Sequence, residues 1–153
     1  MRFAIVICLA LLFAGEVHAQ IKVPDVGDNW KAKVDSAVAK IKVYDEVSYR
    51  TLLDNCKNIE FIIAGASTTQ PPNTIAISVN DMRLNSVNNI AAILVHESYH
   101  LYVFNQCIKL TPNREEYLAY SVEYEFLCKL PDLEDWLFEN SINRLLYLSL
   151  IHI

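Results

Sequence analysis

Residues 96 to 100 read His-Glu-Ser-Tyr-His and lie inside an apolar, helix-compatible run from Val87 to Val103. On an α-helix, two histidines at this spacing differ by about 40° in direction and about 6 Å in height, so both imidazoles can reach one metal ion. Glu97 points into the neighbouring sector, where its carboxylate can hold a water molecule on that metal. The pattern predicts that His96 and His100 bind Zn²⁺ and that Glu97 is the general base of a hydrolytic reaction. The competing interpretation is a chance match on an ordinary buried helix.

A catalytic zinc site needs three protein ligands and one open position, so a third ligand must come from elsewhere in the chain. After residue 19, where a predicted signal peptide ends, the only histidines are His96, His100 and His152. One known zinc pattern has a further histidine six residues after the second, but Gln106 occupies that position. The third ligand is therefore expected to be a carboxylate supplied by the next helix.

The spacing of the following glutamates predicts which carboxylate this is. If two antiparallel helices turn near Ile108, Glu116 lies level with His100 and Tyr120 lies level with His96. Glu116 is therefore the predicted third zinc ligand. Because the turn centre is defined only to within a few residues, Glu115 and Glu123 remain alternative ligands. A solvated helix face is the competing interpretation of this glutamate cluster.

The elements that must position these residues follow from hydrophobic periodicity and capping residues. Two strand-like runs, Ile59–Ala64 and Thr74–Asn80, are separated by a predicted exposed turn at Gly65–Asn73. Helices, then two or three strands, then helices is an α+β order. The predicted helices are Asn29–Lys42 with Asp28 as its cap, Asp45–Cys56, a helix after Asn85-Ser86 that ends near Gln106, Asn113–Leu127 after Thr111-Pro112, and a final amphipathic helix after Leu130-Pro131-Asp132.

The N-terminus has the pattern of a secretory signal peptide. Arg2 precedes an apolar stretch from Phe3 to Ala14, and Val17-His18-Ala19 is a small-x-small cleavage signature. This predicts a signal peptide over residues 1–19, cleaved after Ala19, and a secreted or periplasmic protein. The apolar stretch is shorter than the ~20 residues of a spanning helix, and an uncleaved anchor is the alternative. Residues 20–153 are expected to form a single domain, although the last six resemble a translated sequencing adapter, and His152 is assigned no role.

Composition excludes some partners. The formal net charge is −5 and no Lys/Arg cluster occurs, so nucleic acid and anionic membrane surfaces are poor partners. Cys56, Cys107 and Cys128 follow the predicted signal peptide, which allows at most one internal disulfide. The predicted helix places Cys107 and Cys128 on the order of 20 Å apart, too far to bridge. Cys56 paired with either one, or three reduced thiols, are the remaining options.

With the run from Glu116 to Tyr120 (Glu-Tyr-Leu-Ala-Tyr), the chain resembles the gluzincin branch of the zincin metallopeptidases, over about Ile59 to Leu127. In that branch a glutamate on the following helix completes the HExxH site. The resemblance implies a zincin-like fold, with a small, mostly antiparallel or mixed sheet packed on the two site helices. It implies His96, His100 and Glu116 as zinc ligands, Glu97 as general base, and a peptide or protein substrate. It also implies that Thr74–Asn80 is the sheet edge to which a peptide adds as another strand.

One position departs from the family pattern. Many larger members have an acidic residue four positions after the ligand glutamate, where it orients a ligating histidine, but Tyr120 stands there in this chain. Tyr120 is a candidate catalytic residue that orients a histidine or supports the transition state; packing is the alternative. The candidate oxyanion donors are Tyr99, Tyr117, Tyr120 and Tyr124. A non-catalytic secreted zinc-binding or interaction domain, and a metal-free α+β domain, are the alternative functions, and the oligomeric state is not predicted.

Overall fold

The computed structural model describes residues 21–27 and 29–151. The predicted signal peptide, the predicted cap Asp28 and His152 lie outside these residues. Within them, six helices and one three-stranded mixed sheet form an α+β structure, as predicted. The elements are α1 (Trp30–Tyr44), α2 (Glu46–Asn55), β1 (Asn58–Ile62), β2 (Thr68–Gln70), β3 (Thr74–Ser78), α3 (Val79–Leu84), α4 (Val87–Asn105), α5 (Pro112–Leu127) and α6 (Asp135–Leu150).

The sheet has the order β1-β3-β2, with β3 parallel to β1 and antiparallel to β2. The prediction that Thr74–Asn80 forms the sheet edge is therefore wrong, because β3 is paired on both sides. Ile75, Ala76 and Ile77 are all fully buried, so β3 is covered on both faces, which is typical of a central strand. The small side chain of Ala76 therefore belongs to the core together with Ile75 and Ile77. Among the described strands, β2 forms the edge on the side away from β1.

Two elements were absent from the prediction. Strand β2 lies in the segment predicted as a turn, and its polar residues give no hydrophobic alternation. Helix α3 occupies the end of the predicted second strand, because the Ser78 side chain accepts a hydrogen bond from the Asn80 backbone and starts the helix there. The Lys33 ammonium group then donates to the carbonyl oxygens of Met82 and Asn85 at 2.7 and 2.6 Å, which satisfies the end of α3.

Helix α4 carries the His-Glu-Ser-Tyr-His run through the middle of the molecule. Ser86 caps its first turn by accepting from the Asn89 backbone at 3.2 Å. The helix packs against α1, α2 and α5, and its apolar residues such as Ile90 and Leu94 are fully buried. Thr111 caps α5, with Pro112 at its first position, as predicted. The two helices therefore form the expected hairpin, in which α5 faces the histidines.

Asn88, which is buried, fixes α6 against the start of α4. Its amide nitrogen donates to the Asp132 carbonyl at 2.9 Å and to Glu134 Oε2 at 2.8 Å. Its amide oxygen accepts from the Lys40 ammonium group at 2.6 Å. Because these groups belong to α1, α4 and the segment that enters α6, one buried amide determines where α6 begins.

The three cysteines among the described residues form no disulfide. Cys56, Cys107 and Cys128 are all free, and Cys56 is buried in the core, where its thiol donates to the Asn58 carbonyl at 3.2 Å. Burial raises the pKa of the Cys56 thiol to about 11. A disulfide that includes Cys56 is therefore contradicted, and the expectation that Cys107 and Cys128 do not bridge agrees with the structure.

None of the helices among the described residues combines the length and the apolar character that crossing a bilayer requires.

Asp45 ties α2 to the end of α5, and its removal is expected to destabilise the fold. Its buried carboxylate caps α2 by accepting from the backbone and hydroxyl of Ser48, and it pairs with Lys129 at 2.9 Å. We expect Asp45→Ala to lower the free energy of unfolding by about 1–2 kcal/mol at neutral pH, measured by urea denaturation. Asp35→Ala, which removes an exposed ion pair with Lys31, is the control and should change it by about 0.5 kcal/mol or less.

The effect of Asp45 should also depend on pH. Burial raises the pKa of Asp45, but the hydrogen bonds from Lys129 and Ser48 outweigh it and hold the pKa below the usual value of 3.8. The stabilisation that the carboxylate provides is therefore complete above pH 3.8 and is lost as the pH falls through the lowered pKa of the folded state. The difference in the free energy of unfolding between wild type and Asp45→Ala should become smaller below about pH 4. An unchanged difference between pH 7 and pH 3 would contradict this assignment.

Candidate metal centre

Three donor atoms from α4 and α5 converge at one point. His96 Nε2 and His100 Nε2 lie 3.2 Å apart, because the two histidines are one helical turn apart on the same face. Glu116, on α5, places its two carboxylate oxygens 3.6 Å from His96 Nε2 and 3.4 Å from His100 Nε2. The predicted third ligand therefore lies with the two histidines.

The three donors fit a small divalent cation. In a tetrahedral zinc site with bonds of about 2.0–2.1 Å, neighbouring donor atoms lie about 3.3–3.4 Å apart. The two Nε2 atoms lie 3.2 Å apart, and a different Glu116 oxygen lies near each of them, Oε2 at 3.6 Å from His96 and Oε1 at 3.4 Å from His100, so these separations are close to that value. Two imidazole nitrogens and one carboxylate are also a donor set that suits Zn²⁺ and several other transition metals. His96, His100 and Glu116 could thus hold one metal ion.

Two further glutamates support the histidines from behind. Glu123 Oε2 lies 3.0 Å from His96 Nδ1, and Glu115 Oε1 lies 2.7 Å from His100 Nδ1. A carboxylate at Nδ1 favours the tautomer that carries its proton there, which leaves the Nε2 lone pair directed at the common point. The sequence left Glu115 and Glu123 as alternative ligands. In the structure they contact the Nδ1 atoms of the two rings, whereas Glu116 lies near the Nε2 atoms.

The charges of these groups are strongly coupled in the metal-free protein. Burial lowers the pKa of His96, but its hydrogen bonds to Glu116 and Glu123 outweigh burial and raise the pKa to about 9. The hydrogen bond with His96 in turn lowers the pKa of Glu116, although partial burial opposes it. A proton on His96 thus offsets part of the carboxylate charge, and a bound cation would replace that proton.

Glu97 lies beside the donor cluster and is buried, with 8% of its surface exposed. Burial raises the pKa of its carboxyl group to about 7, with further contributions from the charges of Glu116 and Glu123, while His96 opposes the shift. A hydrogen bond from the Thr69 backbone also opposes it. A carboxyl group with a pKa near neutrality can both accept and return a proton, which is the property that a general base requires.

Tyr120 is the predicted catalytic tyrosine, and it lies at the cluster. Its ring packs edge-on against the His96 imidazole, with 4.4 Å between ring centroids. Burial raises the pKa of its phenol, so the hydroxyl stays protonated near neutral pH. No hydrogen bond between this hydroxyl and His96 or His100 accompanies the ring contact, so packing is the role that the contact itself supports. Tyr120 also lines two cavities that meet at the centre.

The other three candidate oxyanion donors are Tyr99, Tyr117 and Tyr124, and each has a different set of contacts. Tyr99 lines a separate cavity between α2 and α4, and Tyr124 packs against Phe138. The Arg114 guanidinium group lies over the ring of Tyr117, at 5.3 Å from its centroid. Among the four candidate oxyanion donors, Tyr120 is the one that lines the cavities containing His96 and Glu97.

Two open cavities meet at His96, Glu97 and Tyr120. The first, of about 310 Å³, lies between the edge strand β2 and the three metal donors. The second, of about 350 Å³, extends from the same residues towards Asn89 on α4 and Trp136 on α6. Together they form one cleft that passes over the cluster, so a bound molecule can lie on both sides of it.

Sequence reasoning identified His96, Glu97, His100, Glu116 and Tyr120, and the structure brings all five together. It missed three contributions. The supporting roles of Glu115 and Glu123 depend on which face of α5 meets α4, and the Thr69 backbone reaches Glu97 only through the unpredicted strand β2. The two glutamates did carry a signal, since they belong to the same helix as Glu116, but spacing alone could not assign them to different histidine nitrogens.

No protein-family model, no curated protein and no solved structure matches the chain.

Proposed function

We propose that the protein is a zinc-dependent metallopeptidase with a zincin-like site. The convergence of His96 Nε2, His100 Nε2 and a Glu116 carboxylate within 3.6 Å carries this proposal. A metal-binding role needs only these three ligands. The buried Glu97 beside them is the additional feature that favours hydrolysis, because its carboxyl group can exchange a proton near neutral pH.

Zinc bound at this site would supply a Lewis acid that polarises a carbonyl group and lowers the pKa of water to about 7. Glu97 accepts a proton from the attacking water on its carboxylate and then returns that proton to the leaving amine. The carboxylates of Glu115 and Glu123 keep both imidazoles in one orientation during this exchange. Tyr120 lines the cleft and its hydroxyl stays protonated, so in this proposal it donates a hydrogen bond to developing negative charge.

We propose that the peptide lies along β2. This strand is the described sheet edge beside the centre, and residues Thr68 and Thr69 line the cavity that contains all three metal donors. One side of this strand pairs with β3, and the Thr69 backbone bonds to Glu97, so a peptide that lies against β2 is brought next to the proposed general base. The predicted signal peptide would place the activity outside the cytoplasm.

Metal content and peptide hydrolysis of the wild-type protein and His100→Ala test the function. We expect wild type purified without chelators to hold one zinc per chain and to hydrolyse a mixed peptide library. His100→Ala should lose both properties, because two donors remain where three are needed. The control is Asn105→Ala, a polar residue on the same helix that contacts Asn55 rather than the cluster; it should retain both.

The possible results separate the candidate functions. Zinc binding without hydrolysis of any peptide would overturn the peptidase proposal and leave the non-catalytic zinc-binding domain. A wild-type protein that takes up no zinc, even when zinc is added at neutral pH, would overturn both.

A further inference from the structure

The second cavity extends from Glu97 towards α6, and its lining differs from that of the cavity that contains all three metal donors. It has a volume of about 350 Å³, at the lower end of the range for small-ligand pockets and sufficient for one large side chain. Its outer wall is polar, with Asn85, Asn89 and Asn140, and its apolar surface includes the Trp136 indole. Ala66, Ile93 and Leu137 also line the cavity, so its surface is partly polar and partly apolar.

The charged groups that line this cavity are predominantly acidic. Asp81, Glu97 and Glu123 are carboxylates, and no lysine or arginine is among the lining residues that the structure describes. His96 also lines the cavity and pairs with Glu123 at 3.0 Å, which leaves the carboxylates in excess by Asp81 and Glu97. Arg144, whose charge helps to lower the pKa of Glu116, is not part of this lining either. An unbalanced acidic lining attracts cations and repels anions.

Asp81 is the carboxylate that has no role in the metal centre. Ser67 donates its hydroxyl to Asp81 Oδ2 at 2.7 Å, and the Asn85 amide donates to Oδ1 at 3.0 Å. These neutral donors orient the carboxylate, and no ion pair within residues 21–27 and 29–151 neutralises it. Since Ser67 also accepts from the Ser78 backbone at 2.9 Å, the carboxylate is connected to the end of β3 and does not depend on a mobile side chain.

Trp136 completes the site from the opposite element. Its side chain is about half exposed, at 49%, although it lies at the start of a helix that Asn88 holds in place. An aromatic ring that faces a cavity with acidic groups is a favourable neighbour for an ammonium or guanidinium group. The indole and the carboxylate thus favour the same kind of ligand.

We propose that this cavity binds a cationic group of the peptide substrate, with Asp81 as its counter-charge and Trp136 as its aromatic contact. This inference rests on the proposed metallopeptidase function. The cationic group is either a lysine or arginine side chain beside the cleaved bond or the free α-ammonium group of the substrate. The first would make the protein an endopeptidase selective for basic residues, and the second an aminopeptidase.

Peptide binding to zinc-loaded Glu97→Gln protein tests the proposal without turnover. The probes are N-acetylated, C-amidated peptides of one sequence with Arg, Lys, Leu or Glu at a single scanned position, together with the Leu peptide that has a free α-amino group. Calorimetry should show tighter binding of a cationic peptide than of the capped Leu peptide, and the weakest binding for Glu. Preference for capped Arg or Lys identifies the side chain, whereas preference for the free amine identifies the N-terminus. Equal affinities for all five probes would overturn the proposal.

Variants of the cavity sharpen this test. Asp81→Asn should reduce the preference for the cationic peptide about tenfold or more, and Trp136→Ala about two- to fivefold. Asn140→Lys, at an exposed position of α6, places a cation at the cavity and should remove the preference even if Asp81→Asn proves unstable. The matched control is Asp54→Asn, which removes one charge from a different cavity on α2 and should leave the preference intact. A preference that survives both Asp81→Asn and Asn140→Lys would contradict the assignment.

Cleavage of the same peptides by wild type separates this proposal from the function on which it rests. Cleavage without any charge preference would overturn the cationic subsite and support the peptidase. Charge-selective binding without cleavage would support the cavity assignment and overturn the peptidase.

Discussion

Glu97→Gln is expected to reduce peptide hydrolysis by about two to four orders of magnitude while zinc remains bound at one ion per chain. Glutamine has nearly the same size and can still accept a hydrogen bond from the Thr69 backbone, which lies against Glu97. It cannot take a proton from water at neutral pH, so the loss should appear in kcat. The measurements are kcat and KM on a cleaved peptide, together with zinc content by atomic absorption.

The matched control for this variant is Glu125→Gln. Glu125 is an exposed carboxylate on α5 that lies outside the metal centre, and its replacement should leave kcat unchanged. Hydrolysis by Glu97→Gln at the wild-type rate would refute the general-base assignment. Loss of zinc from the same variant would mean that Glu97 holds the metal, which the present ligand set does not include.

Glu116→Ala is expected to weaken zinc binding far more than Glu123→Ala. Glu116 supplies one of the three converging donors, whereas Glu123 contacts the far nitrogen of His96. Loss of such a supporting carboxylate weakens metal affinity by about 10- to 100-fold. Removal of the ligand Glu116 should weaken zinc affinity by more than this. Competition with a zinc chelator of known affinity at one pH measures both dissociation constants.

Glu115→Ala extends the comparison, because Glu115 contacts Nδ1 of His100 in the same way that Glu123 contacts Nδ1 of His96. It should behave like Glu123→Ala and unlike Glu116→Ala, although Glu115 and Glu116 are neighbours in sequence. If Glu116→Ala kept the wild-type affinity and Glu123→Ala lost it, Glu123 would be the third ligand and the arrangement of α5 would have to differ.

Much of the positioning framework could be predicted from local sequence. The hydroxyls of Ser86 and Thr111 cap α4 and α5 at the expected residues, and the carboxylate of Asp45 caps α2. Each is a short-range signal, because a capping side chain bonds to a backbone group two or three residues away. The turn between α4 and α5 is also local, which is why counting outwards from Ile108 brought Glu116 and Tyr120 to the histidines.

Non-local pairing was not predictable in the same way. The central position of β3, which was predicted at the edge, depends on its pairing with both β1 and the unpredicted strand β2. The alternation of residues along β3 does not indicate which strands pair with it. Cys56 offered a plausible disulfide partner by counting, yet packing in the core keeps it reduced.

The sequence alone determined that His96, Glu97 and His100 share one helical turn, because their relative placement follows from helix geometry and needs no other part of the chain. Tertiary structure decided the rest of the site. The approach of α5 directed Glu116 to the Nε2 atoms and directed Glu115 and Glu123 to the Nδ1 atoms. The placement of α6 and of the Ser67–Asp81 pair formed the acidic cavity beside Glu97. These relations join residues that are distant in sequence, so they exist only once the hydrophobic core has packed the helices and the sheet together.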